Sequence, residues 1–169
     1  MHAVLVRYGA VAEVARCEAV EPLVRRASVV LQTHRGLELG NVLEAARPRG
    51  AIGADPSEGA RFEIIRVATD DDLAKHSESK RRAAQEFSIW QQRIAEWDLD
   101  LQLIELEWTL DESKLILYVL NERGPECTKL ALQIAAAGLG AVEVQPVSLE
   151  GPVTMPTSGG CGSCGCHEE

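Results

Sequence analysis

The chain has 169 residues, 46% of them apolar, and no apolar run approaches the length that crosses a bilayer, so a membrane-spanning helix is excluded. This is material for one ordinary domain or for two small lobes sharing a core. The net charge of -9 is unevenly placed: residues 1–60 carry seven basic and seven acidic side chains, residues 101–169 three basic and ten acidic. An acidic surface repels phosphate, which argues against a strong stand-alone nucleic-acid binder and leaves RNA contact at most indirect.

In chain order, Ala3 to Tyr8 and Val11 to Cys17 are short apolar segments around Gly9 and read as a hairpin. The β-branched run Ser28 to Thr33 follows. The dipeptide Arg35-Gly36 then turns the chain into Leu37-Glu38-Leu39-Gly40-Asn41-Val42, with Gly36 free to take the positive φ of a tight turn. Pro48, Gly50, Gly53, Pro56 and Gly59 mark a linker, which places a boundary near residue 60.

Arg61 to Val67 reads as a strand leading into the longest helix. Thr69 is a natural N-cap and Asp72 completes a capping-box pattern, which explains Asp70-Asp71-Asp72 better than a magnesium site does. Ala83, Phe87, Trp90, Ile94 and Trp97 then recur on one helical face and are expected in the core, while Lys80-Arg81-Arg82 reads as a solvated face. Leu101 to Trp108 and Lys114 to Leu120 are strands joined at Asp111-Glu112-Ser113, with Glu105 and Glu107 forming the polar face of the first opposite Ile104, Leu106 and Trp108. A second helix over Glu122 to Ala137 ends at Gly138 and Gly140, and Ala141 to Val147 is a last strand.

The fold class expected from this order is α+β: a small β-rich lobe over 1–60, a ferredoxin-like β-α-β-β-α-β lobe over 61–150, and a Gly/Cys-rich segment over 151–169. That last segment holds Cys161, Cys164, Cys166 and His167. Thiolates are soft ligands for zinc, copper(I) or iron–sulfur clusters, and glycines between them let the backbone fold around one point. Because a closed site usually has four ligands, Cys127 or a partner chain is a candidate for an additional one. The spacing itself does not choose between zinc and iron–sulfur. Clustered cysteines and an opening segment without a signal-peptide layout point to a cytoplasmic setting.

Four segments together resemble one bacterial family. They are Val4-Leu-Val-Arg7-Tyr8; Ser28-Val-Val-Leu-Gln-Thr33-His-Arg35-Gly36-Leu-Glu38-Leu-Gly40-Asn-Val42; Ile65-Arg66-Val67-Ala68-Thr69-Asp70-Asp71-Asp72-Leu73; and Leu99 to Tyr118, containing Glu107-Trp108-Thr109-Leu110-Asp111 and Ser113-Lys114-Leu115. In this order and spacing they resemble the YaaT/RicT proteins, whose shared C-terminal domain is named after a yeast polymerase suppressor. The matched motif residues are Arg35, Gly36, Glu38, Gly40, Arg66, Thr69, Asp111 and Lys114. The chain departs from the family pattern at Cys127-Thr128, where a Phe-Arg pair is usual, and in a compressed cysteine region.

The resemblance implies a cytoplasmic, non-enzymatic regulatory factor. It implies an iron–sulfur cluster, association with small helical partner proteins, and influence on messenger-RNA maturation by an endoribonuclease complex and on sporulation-like development. No phosphate-binding glycine loop, G-x-S-x-G or H-E-x-x-H is present, so no catalytic residue is assigned. Two alternatives remain: a thiol-redox or metal-transfer arm using the Cys161/Cys164 pair, and a weak RNA-binding module using Arg35, Arg47, Arg49, Arg61 and the Lys80 cluster.

Overall fold

The structure is a computed structural model that describes residues 2–45, 61–120, 125–149 and 151–153. Five strands, β1 (His2–Tyr8), β2 (Glu13–Ala19), β3 (Ser28–Gln32), β4 (Leu37–Ala45) and β5 (Arg61–Val67), close into a barrel in the order β1-β2-β5-β3-β4. Alternation drives the closure: Val4, Val6 and Tyr8 of β1, Ala15 and Cys17 of β2, Val29 and Leu31 of β3 and Val42 of β4 all point inward. Gly40 lets β4 approach, since a Cβ there would stand 2.5 Å from Val6 Cγ1 and 2.8 Å from Leu31 Cδ2.

β5 corrects the expected topology. Instead of opening a β-α-β-β-α-β lobe, it inserts between β2, to which it is parallel, and β3, to which it is antiparallel, and completes the barrel. The ferredoxin-like arrangement is therefore not what forms. The second layer is built from α1 (Asp70–Glu96), β6 (Gln102–Trp108), β7 (Leu115–Leu120), α2 (Glu126–Ala136), β8 (Val142–Ser148) and the two-residue β9 (Gly151–Pro152), with the sheet ordered β6-β7-β8-β9.

Both helices lie on one face of that sheet. Ala83, Trp90 and Ile94 of α1 and Cys127, Leu130 and Ile134 of α2 pack on Leu103, Leu106, Leu115, Leu117 and Val119, with Phe87 and Trp97 partly buried beside them. The aromatic stripe is thus core, each large side chain contributing about 1.5–3 kcal/mol by burial. α1 starts at the anticipated capping box: Thr69 Oγ1 accepts from the Asp72 amide, and the Asp72 carboxylate accepts from the Thr69 amide. α2 is followed by Gly138 at φ 64° and Gly140 at φ 87°.

The opposite face of β7 is buried as well. Ile116 and Tyr118 turn away from the helices and, with Val147, meet Val11 from the β1–β2 turn. That explains why Leu115 to Val119 is apolar almost without a break, with one hydroxyl in its midst. β6 carries an irregularity between Leu103 and Glu105, so Leu103 and Leu106 both face the helices and Ile104 is exposed. The simple alternation expected for β6 is corrected by this bulge.

Candidate functional site

The most concentrated chemistry lies where the barrel meets the second sheet, centred on Arg35. The β3–β4 turn places it. Thr33 N–H donates to the Gly36 carbonyl at 2.9 Å, and the Arg35 amide donates to Thr33 Oγ1 at 3.0 Å. Gly36 sits at φ 140°, and a Cβ there would stand 3.3 Å from Thr109 Cγ2. From the far side, the Leu110 amide donates to the Leu37 carbonyl at 2.7 Å, tying the β6–β7 hairpin to the turn.

The Arg35 side chain is 0% exposed. Its guanidinium faces Glu13 at 3.0 Å and Glu38 at 3.0 Å, and Nη1 donates to the Tyr118 hydroxyl at 3.0 Å. Tyr118 in turn donates to Glu107 Oε2 at 2.6 Å, which also accepts the Ala10 amide at 2.8 Å. Thr33 Oγ1 donates to Glu38 Oε2 at 2.5 Å, and the Tyr8 hydroxyl donates to Glu13 Oε2 at 3.1 Å. The guanidinium carbon lies 5.3 Å from the Tyr8 ring centre and 5.9 Å from that of Tyr118. Gly9, at φ 78°, closes over the cluster, leaving a Cβ only 3.3 Å from both Arg35 Nη2 and the Tyr118 hydroxyl.

Three carboxylates share this one buried cation. Burial works against the Arg35 charge, but Glu38 and the other acids around it more than offset that and hold its pKa above the usual value. On Glu38 the balance tips the other way. Burial outweighs Arg35 and Thr33, and the carboxyl is pushed up to about 7. Burial foremost, and then the neighbouring carboxylates, raise the Tyr8 and Tyr118 hydroxyls, so both stay protonated donors. The arrangement is a junction that locks two layers together, with its central groups shielded from solvent.

The family-motif residues divide over this frame. Arg35 and Glu38 meet in the cluster, Gly36 shapes its turn, and Gly40 lies inside the barrel. Arg66 forms a bidentate ion pair with Asp72, whose carboxyl is held below the usual range by Arg66 and by the Thr69 hydrogen bonds. Asp111 accepts from the Ser113 amide at 3.2 Å and its hydroxyl at 2.8 Å, closing the β6–β7 turn, and Lys114 Nζ donates to Glu143 at 2.8 Å.

Two expectations change. Arg35 cannot serve as a phosphate-contacting arginine, because its side chain is inside, where Glu38 is buried with it. Cys127 lies in the α1/α2 core, where burial foremost pushes its thiol up and disfavours the thiolate that a metal ligand requires. Cys161, Cys164, Cys166 and His167 lie outside the described residues, as do Arg47 and Arg49. Among the described residues, no group of three or more His, Cys, Asp or Glu could hold a metal ion. No described helix is long and apolar enough to cross a membrane.

Glu13, Glu107, Tyr8 and Tyr118 were not singled out by sequence as members of one site. The available signal was the lone hydroxyl in the apolar β7, since a buried tyrosine needs a hydrogen-bond partner.

Residues 62–131 match the family described as the PSP1 C-terminal conserved region. Over 137 residues, 81% of its length, the chain is 29% identical to the stage 0 sporulation protein YaaT of Bacillus subtilis (strain 168). The chain is thus similar to YaaT over most of its length and contains a segment similar to the PSP1 C-terminal conserved region. The chain spans about half of that relative, 48% of its length, and no solved structure matches it. The PSP1 region contains Arg66, Thr69, Asp111 and Lys114 together with Glu107 and Tyr118 of the cluster, whereas Arg35 and Glu38 precede it. The buried junction thus joins the PSP1 region to the strands in front of it.

Proposed function

We propose that this protein is a non-catalytic regulatory or scaffold factor that acts by binding other proteins and takes part in sporulation-like developmental control. The observation that carries this reading is the identity of 29%, over most of the chain, to a protein named for stage 0 of sporulation. The Arg35 cluster supports it. The densest set of ionisable groups among the described residues is spent on joining two layers and presents no open nucleophile or base to a substrate.

Within this reading, Cys161, Cys164 and Cys166, with His167 as a fourth donor, hold an iron–sulfur cluster, and the partners are small helical proteins linked to endoribonuclease-dependent RNA maturation in the cytoplasm. Three thiols and an imidazole within seven positions suit such a centre, which would supply a redox-responsive element.

Two experiments test the proposal. Expression of this chain in a Bacillus subtilis strain lacking its YaaT protein is expected to restore sporulation, and failure of an expressed, folded chain to do so counts against the regulatory role. Anaerobically purified protein is expected to show broad visible absorption that dithionite bleaches and that Cys164→Ser removes. Colourless protein with stoichiometric zinc, or metal-free protein cycling with thioredoxin, would replace the cluster with a structural or redox role.

A further inference from the structure

A cleft of about 470 Å³ lies between the barrel, α1 and β6. Four consecutive β6 residues, Glu105, Leu106, Glu107 and Trp108, line it. Successive side chains of a strand point to opposite faces, so what four neighbours share with one cleft is the strand's edge. Among the described residues that edge carries no ladder: β6 pairs with β7 on one side and with no described strand on the other. The Leu106 amide donates to the carboxylate of the adjacent Glu105, at 3.2 Å. The opposite edge of the sheet is treated differently. There β9 covers the end of β8, and the Val153 amide donates to the Pro146 carbonyl at 2.8 Å.

The cleft is also marked by charge. Arg7 of β1 and Lys80 of α1, both exposed, line it without an ion pair among the described residues, and His76 of α1 lines it as well. Glu107 is already held by Tyr118 and the Ala10 amide. A strand edge with unpaired backbone groups, flanked by unpaired cations, matches an extended peptide with acidic side chains.

We propose that this cleft binds an acidic, extended segment of a partner protein, which adds as a strand to the β6 edge. A carbonyl of the incoming segment accepts from the Leu106 amide and displaces the Glu105 carboxylate, while its acidic side chains meet Arg7 and Lys80. The proposal stands apart from the cysteine segment and from any metal it holds.

The test is an amide-resolved NMR titration of the full chain with an acetylated, amidated Glu-Val-Glu-Val-Glu peptide. The expected result is a shift concentrated at the amides of residues 105–108, with binding weakened about fivefold by Lys80→Glu and by Arg7→Glu. Both changes lie on the surface and leave the core untouched. The same peptide N-methylated at alternate amides is expected to lose binding, since the ladder needs its N–H groups. Four results would overturn the proposal: no shift at 105–108 with millimolar peptide, equal binding of the N-methylated form, equal binding of a Lys-Val-Lys-Val-Lys peptide, or preferential occupation of the cleft by an oligouridine.

Discussion

Arg35 donates to the Tyr118 hydroxyl at 3.0 Å, joining a turn of the barrel to the central strand of the second sheet across 83 positions of sequence. Tyr118 passes its own proton on to Glu107, so one hydroxyl connects a cation and a carboxylate that do not otherwise share a hydrogen bond. Tyr118→Phe keeps the ring and deletes that link. It is expected to cost about 1–3 kcal/mol in urea denaturation, because buried partners are left unsatisfied. Arg35→Met should cost more, about 3–5 kcal/mol, since it strands Glu13 and Glu38 without their cation. A double change of Arg35→Met with Glu38→Gln should recover part of the loss.

Stability should fall as pH rises through neutrality, and Glu38 sets the sign. Its folded pKa, about 7, lies above the ordinary 4.5, so between those values the folded protein binds more protons than the unfolded chain. The contribution is fully present below pH 4.5 and is lost as pH approaches and passes 7, an effect of about 3 kcal/mol at most. Glu38→Gln should flatten this part of the profile in denaturation measured at several pH values. Asp72 acts oppositely: its lowered pKa gives stability that is present above pH 4 and lost on further acidification.

The glycines should separate by surroundings. Gly40→Ala drives a methyl into Val6 and Leu31 and is expected to cost about 2 kcal/mol or more through overpacking. Gly36→Ala meets Thr109 Cγ2 at 3.3 Å and a backbone at φ 140°, for roughly 1–3 kcal/mol of strain. Gly138→Ala, with nothing within 4 Å and φ 64°, should cost only about 1 kcal/mol. Thermal melts of the three variants test the ranking.

Truncation should be made after Val153, and the fold predicts why. Gly151 and Pro152 pair with β8, and Gln145 Nε2 donates to the Val153 carbonyl at 3.0 Å. A chain ending at Val153 is expected to melt within a few degrees of the full chain and to lack the absorption proposed for the cysteine segment. One ending at Glu150 should melt measurably lower, because it uncovers the β8 edge.

The elements that sequence made legible are those whose signals are local. The Thr69 cap, the Ala83-to-Trp97 stripe and the Asp111 turn each follow from neighbours a few residues apart. What sequence did not give was partnership at a distance. Nothing in Arg61 to Val67 distinguishes a strand that closes a barrel from one that opens a split βαβ unit, because pairing is fixed by inward packing against β2 and β3. Alternation alone takes an acidic residue to mark the wet side of a strand, whereas Glu38 lies inside because Arg35 supplies it a buried partner. The bulge at Ile104 likewise left no mark in the alternating pattern of β6.

The insertion of β5 between β2 and β3 has a kinetic consequence. Residues 2–45 supply four barrel strands but leave β2 and β3 each with an unfilled side, so during synthesis the barrel cannot close until residues 61–67 have left the ribosome. The closing strand runs into α1 through only Ala68 and Thr69, so that closure fixes where the long helix must start. On a growing chain, closure of the barrel thus becomes possible before the helix-covered sheet is complete.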